Sequence, residues 1–171
     1  MEEDTFDVLG PGTVIQWKGT QDFELLYKKI WEWFGINDYS MEELHYEEKR
    51  LSFGTNMVIK WEGKKPGKKC TFKNDYFAYK VKVDFLVIGL KEAETAYEGN
   101  KIKVNNADTK IKFKATVIKN SNKKFKEKTL QKQIYERYII PTTFEEAKIE
   151  LYSEIHEVIG LTKSFLNLYH F

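Results

Sequence analysis

Two stretches in the middle of the chain alternate apolar and polar residues without a break. Phe77, Tyr79, Val81, Val83, Phe85 and Val87 share one side of the first, opposite Ala78, Lys80, Lys82, Asp84, Leu86 and Ile88. The second, Thr109–Ile118, sets Ile111, Phe113, Ala115 and Val117 against Lys110, Lys112, Lys114 and Thr116. A period of two is the period of a strand. An apolar side backed by a lysine-bearing side requires an antiparallel sheet with water on one face only. The other face must be covered, and the rest of the sequence has to supply the cover.

Two helical segments can do so. Between Asp22 and Phe34 the residues Phe23, Leu26, Tyr27, Ile30, Trp33 and Phe34 recur at helical spacing, with Gly35 as the expected stop. Trp31 falls off that stripe, which predicts partial exposure and makes it an interface candidate. The larger cover is C-terminal. Thr142-x-x-Glu145 and Thr143-x-x-Glu146 are overlapping capping boxes, and Phe144, Ala147, Leu151, Ile155, Val158, Thr162, Phe165 and Tyr169 line one side of a helix over 142–169. Gly160 inside it predicts a bend or a close contact. The aromatic end of the chain, Phe165, Tyr169 and Phe171, is a second interface candidate, suited to a homo-oligomer.

The remaining elements are shorter. Thr13–Trp17 reads as a first strand, broken by Gly19 and Thr20. Ser40-Met-Glu-Glu43 has capping-box form and predicts a short second helix. Tyr46–Phe53 and Met57–Glu62 flank Gly54, and Leu90–Tyr97 and Lys101–Val104 flank Glu98-Gly99-Asn100, two hairpin signals. Gly63–Lys69 is a basic loop, and Asn120–Lys128 a polar one. Leu130, Ile134, Tyr135 and Tyr138 predict a helix over Thr129–Ile139, ended by Pro141.

The expected fold is a single α+β domain over 1–171 with its core in 13–169: a twisted antiparallel sheet covered by N-terminal helices and a long C-terminal helix. This order of elements resembles the helix-grip architecture of START-like and polyketide-cyclase-like proteins, to which Thr129–Ile139 adds an extra helix. That resemblance implies a pocket for an apolar small molecule or lipid between sheet and C-terminal helix. The stretches GNKIKVNNADTKIKFKATVI (99–118), IYERYII (134–140) and KSFLNLY (163–169) resemble a set of uncharacterised archaeal proteins. That likeness implies a cytosolic archaeal origin and nothing about catalysis.

Charge is segregated along the chain. Residues 1–50 carry a net −7, residues 51–132 a net +12, and residues 133–171 a net −3. Arg50 and Arg137 are the only arginines, so the positive charge is almost all lysine. An AT-rich genome would produce the same bias, and a polyanion-binding surface would use it. Lysine is a hydrated point charge, whereas base-specific recognition favours the planar fork of arginine. One cysteine, Cys70, excludes an intrachain disulfide and fits a reducing compartment. The acidic N-terminus shows no signal peptide, and the longest apolar runs are too short to span a bilayer, so a cytoplasmic protein is expected.

Catalytic motifs are missing. The chain has no GxSxG, no P-loop, no GxGxxG and no HExxH, since His156-Glu157 is followed by Val158, Ile159 and Gly160. His45, His156 and His170 are the only histidines, and Cys70 has basic neighbours but no histidine near it in sequence. The carboxylate pairs Glu42-Glu43, Glu47-Glu48 and Glu145-Glu146 have no cleft fixed by spacing. No enzymatic activity, metal or cofactor is expected. The chemistry that remains is the lysine face: Lys80, Lys82, Lys101, Lys103, Lys110, Lys112 and Lys114, expected to share one side of neighbouring strands, partly offset by Asp84, Glu92 and Glu94. The sequence therefore predicts a non-catalytic binding or assembly module. Its partner would be nucleic acid or an acidic protein on the lysines, an apolar ligand in a helix-grip pocket, or a second copy of the chain.

Overall fold

In the computed structural model, which describes residues 4–67, 76–123, 125–126 and 129–168, six strands form one antiparallel sheet. The elements run β1 (Thr5–Asp7), β2 (Thr13–Gln21), α1 (Phe23–Ile36), β3 (Ser40–Leu51), β4 (Gly54–Pro66), β5 (Phe77–Tyr97) and β6 (Asn100–Lys119). Then come α2 (Leu130–Ile134), a π-helical turn (Tyr135–Ile139) and α3 (Pro141–Asn167). β6, β5, β4 and β3 are sequential neighbours, and both β1 and β2 pair with the free side of β6.

The two alternating stretches lie inside β5 and β6, hydrogen-bonded to each other. Their odd-numbered residues, Phe77 to Val87 and Ile111 to Val117, are all 1% exposed or less. The helices pack on that face. Phe23 and Tyr27 of α1 reach Phe85 and Trp61, and Phe144 of α3 stacks on Phe77 at 5.8 Å. The stripe Ala147, Leu151, Ile155, Val158 of α3 is at most 1% exposed. The apolar face is thus roofed by both helices, as a one-sided sheet demands.

Polar side chains tie the roof down. Lys65 of β4 reaches Glu154 of α3 at 2.6 Å, and the Tyr39 hydroxyl donates to the same carboxylate at 2.7 Å. The Tyr79 hydroxyl donates to Glu150, and the Tyr76 hydroxyl to Glu136, at 2.7 and 2.6 Å.

Several local expectations are corrected. Ser40–Glu43 is not a helix but the start of β3. Its residues pair with Trp61–Lys64, and a capping-box pattern carries no weight where a neighbouring strand satisfies the backbone. β2 runs through Gly19 and Thr20 to Gln21, because β6 pairs with it along its whole length. Gly35 sits inside α1, and the stop comes at Asn37, whose side chain also donates to the Trp33 carbonyl. Leu90–Tyr97 and Lys101–Val104 do form the expected hairpin about Glu98-Gly99, with Tyr97 paired to Asn100, but they are not strands of their own. They are the outer ends of β5 and β6, past a bulge between Ile88 and Lys91 where Gly89 has φ +67°. The Thr129–Ile139 helix is divided into α2 and the π turn. α3 begins with Pro141 in its first turn and Ile140 at the cap, so neither threonine box is used. A Cβ built on Gly160 would meet nothing within 4 Å, so that glycine marks no close contact.

Candidate anion-binding face

The face away from the helices is built by the even-numbered residues of β4, β5 and β6. Strand register sets them in rungs across the sheet: Lys64, Lys80 and Thr116; then Glu62, Lys82 and Lys114; then Lys60, Asp84 and Lys112; then Val58, Leu86 and Lys110. Neighbours across a rung lie about 5 Å apart, and successive rungs about 6.6 Å. Within β4, β5 and β6 the first three rungs gather Lys60, Lys64, Lys80, Lys82, Lys112 and Lys114 around Glu62 and Asp84. The flanking strands add Glu42, the register partner of Glu62, and Asp7, the partner of Thr116.

Like charges meet directly here: Lys82 is the register partner of Lys114, and Lys64 of Lys80. Such pairs weaken a sheet. Glu62 relieves part of the repulsion by drawing three ammonium groups together, Lys64 at 3.2 Å, Lys82 at 3.7 Å and Lys80 at 3.8 Å. Burial pushes the Glu62 carboxyl up. The hydrogen bond from Lys64 and the charges of Lys80, Lys64 and Lys82 outweigh that and hold it below its ordinary value. Lys60, Lys64, Lys82, Lys110 and Lys114 remain open to solvent, so the excess charge faces water.

The seven lysines singled out in the sequence do not all come together. Lys80, Lys82, Lys110, Lys112 and Lys114 share the outer face. Lys101 and Lys103 do not. They lie on the same unbroken strand β6 but at odd positions, and the pleat turns them to the opposite side. There they stand beside Glu94, the register partner of Lys103 and 3.7 Å from Lys101. The bulge at Gly89 moves Glu92 and Glu94 to that side as well, so neither offsets the lysine rungs. Sequence reasoning passed over Lys60 and Lys64, although they alternate with Ile59 and Trp61 and so were open to the same argument.

The other candidates are scattered. Trp31 is half-buried, edge-on to Trp61 with ring centres 5.0 Å apart. Phe165 is half-buried against the core. Tyr169, Phe171, His170 and Cys70 lie outside the described residues. His45 is exposed, 3.5 Å from Glu47, and His156 packs against the Tyr152 ring. Among the described residues no three His, Cys, Asp or Glu side chains gather as a metal site, and no helix is long and apolar enough to cross a membrane.

No family model, curated protein or solved structure matches the chain.

Proposed function

We propose that the protein is a non-catalytic binding module whose outer sheet face holds a polyanion, with nucleic acid as the partner. The observation that carries this reading is the set of three rungs in which six lysines of β4, β5 and β6 outnumber the carboxylates Glu42, Glu62, Asp84 and Asp7 on a solvent-facing sheet. A fold needs lysines at a sheet edge to prevent stray pairing. Lys80, Lys82 and Lys112 are on internal strands, where that need does not arise and where like-charge neighbours work against the sheet. The element order, a strand and helix followed by an antiparallel sheet and a long helix, supports the helix-grip reading of the architecture.

Binding through lysines alone is tolerant of base sequence, because ammonium groups contact phosphates rather than base edges. It depends steeply on salt. Five phosphate contacts weaken binding by about two to three orders of magnitude between roughly 50 and 200 mM salt. The test is polynucleotide affinity at those two concentrations for the wild type and for the triple variant Lys82→Gln, Lys112→Gln, Lys114→Gln, which removes charge without setting new carboxylates opposite Glu62 and Asp84. The variant keeps the core side of each strand and should keep its melting temperature while losing binding. No binding by the wild type at the lower salt overturns the nucleic-acid reading. Binding of an acidic polypeptide but not of polynucleotide would reassign the partner.

A further inference from the structure

On the opposite face of the sheet, α1 and the edge strand β3 leave an open cleft of about 350 Å³, lined by Tyr27, Lys28, Trp31, Glu32 and Glu43. Trp61 of β4 forms its backing: Tyr27 and Trp31 each meet the Trp61 ring edge-on, at 4.6 and 5.0 Å between centres. Glu43 is directly across from Trp61 in register, so its carboxylate is brought to the aromatic wall by the pleat. Two neutral donors fix it there. The Tyr27 hydroxyl donates at 2.6 Å and the Trp61 indole N–H at 3.2 Å, both to Oε2. Burial first, then the Glu43 hydrogen bond and charge, push the Tyr27 hydroxyl up to about 12, so it stays a donor at any physiological pH.

The charges around the cleft are otherwise matched. Lys28 is held by Glu24 at 2.6 Å, and Glu32 by Lys29 at 3.3 Å. Glu43 alone has no cationic partner among the described residues, and its Oε1 carries no hydrogen bond there. A fixed, uncompensated carboxylate beside two aromatic rings is the arrangement that attracts a positive charge attached to apolar groups. The ring quadrupoles and the carboxylate act in the same direction, and the alkyl groups cover the rings. With Glu32 paired to Lys29, one unpaired carboxylate among aromatic walls is too few oxygens for a hard metal ion.

We propose that this cleft binds a small organic cation, an ammonium group bearing apolar substituents, seated against Trp31 and Tyr27 with its charge toward Glu43. Choline is a suitable probe, and 3,3-dimethylbutanol is its neutral isostere, with carbon in place of nitrogen. Each is titrated into the full chain at constant ionic strength, following the indole N–H resonances of Trp31 and Trp61. The expected result is saturable shifts with choline and at least about tenfold weaker binding of the isostere. Glu43→Gln keeps an oxygen to accept from Tyr27 and Trp61 but removes the charge, so it should abolish the preference for choline while leaving the melting temperature in place. Trp31→Ala should weaken both ligands. Equal affinity for choline and its isostere, an unchanged preference in Glu43→Gln, or no saturation up to about 100 mM choline overturns the proposal. Because the cleft and the lysine rungs are on opposite faces, the polynucleotide experiment neither rescues nor removes this result.

Discussion

Replacing Glu154 by alanine should destabilise the fold more than any other single change to a charged residue of α3. Its two oxygens serve different partners: Oε1 takes the Lys65 ammonium at 2.6 Å and Oε2 the Tyr39 hydroxyl at 2.7 Å. The Lys65 and Glu154 side chains are 13% and 19% exposed, and Tyr39 is 5% exposed. Removing the carboxylate leaves a mostly buried ammonium and a buried hydroxyl without their acceptor. Breaking a buried pair in this way costs about 3–5 kcal/mol. Lys65 keeps a long contact to the Asn37 carbonyl, at 3.4 Å, and lies over the Tyr39 ring at 4.6 Å, so the lower end applies. With a urea slope of about 2 kcal/mol per molar, a loss of about 3 kcal/mol lowers the unfolding midpoint by about 1.5 M. Urea unfolding followed by circular dichroism measures it. The triple change Tyr39→Phe, Lys65→Met, Glu154→Leu removes all three polar groups together and should recover most of the loss, to within about 1 kcal/mol of wild type. A Glu154→Ala shift below about 0.5 M, or a triple variant as unstable as the single one, would refute the argument that desolvated, mutually dependent groups hold α3 to the sheet.

Alkaline pH should unfold the protein through its buried tyrosines. Burial first, then hydrogen bonds to Glu154 and Glu136, raise the Tyr39 and Tyr76 hydroxyls above their ordinary value. The fold therefore favours the protonated form. Its contribution is complete below the unfolded value near pH 10 and is lost above it, at about 1.4 kcal/mol per pH unit for each tyrosine. Urea midpoints between pH 9 and 11 should fall, and less so in Tyr39→Phe; a flat profile contradicts the assignment. Gly160→Ala, at an exposed position inside α3 with open space around it, should stabilise by up to about 1 kcal/mol, and a lower melting temperature would show a constraint on that glycine that the packing does not contain.

How much of this architecture can be read from the residues depends on how many faces of each element are buried. β5 and β6 are internal strands with one face roofed and one in water, so Phe77–Val87 and Ile111–Val117 alternate cleanly and could be placed on the core side by inspection. The signal fails where that asymmetry ends. β3 is an edge strand whose residues are nearly all exposed, so Ser40–Leu51 shows no period, and a local capping pattern at Ser40–Glu43 prevails in its absence. Lys101 and Lys103 leave the lysine face because β6 runs unbroken and they sit at odd positions of it, against the even Lys110, Lys112 and Lys114. That parity shows only once 101–104 and 109–118 are one strand. The extra residue at Gly89 in β5 carries Glu92 and Glu94 to their side. The two candidate sites differ in the same way. The lysine rungs are written as a two-residue period within three strands, and only the order of those strands had to come from the fold. The cleft has no such trace. Tyr27, Trp31, Glu43 and Trp61 come from a helix and two strands, and what makes Glu43 distinctive is that no cation among the described residues lies within ion-pair distance of it. That is a property of the assembled charges, and no spacing along the chain encodes it.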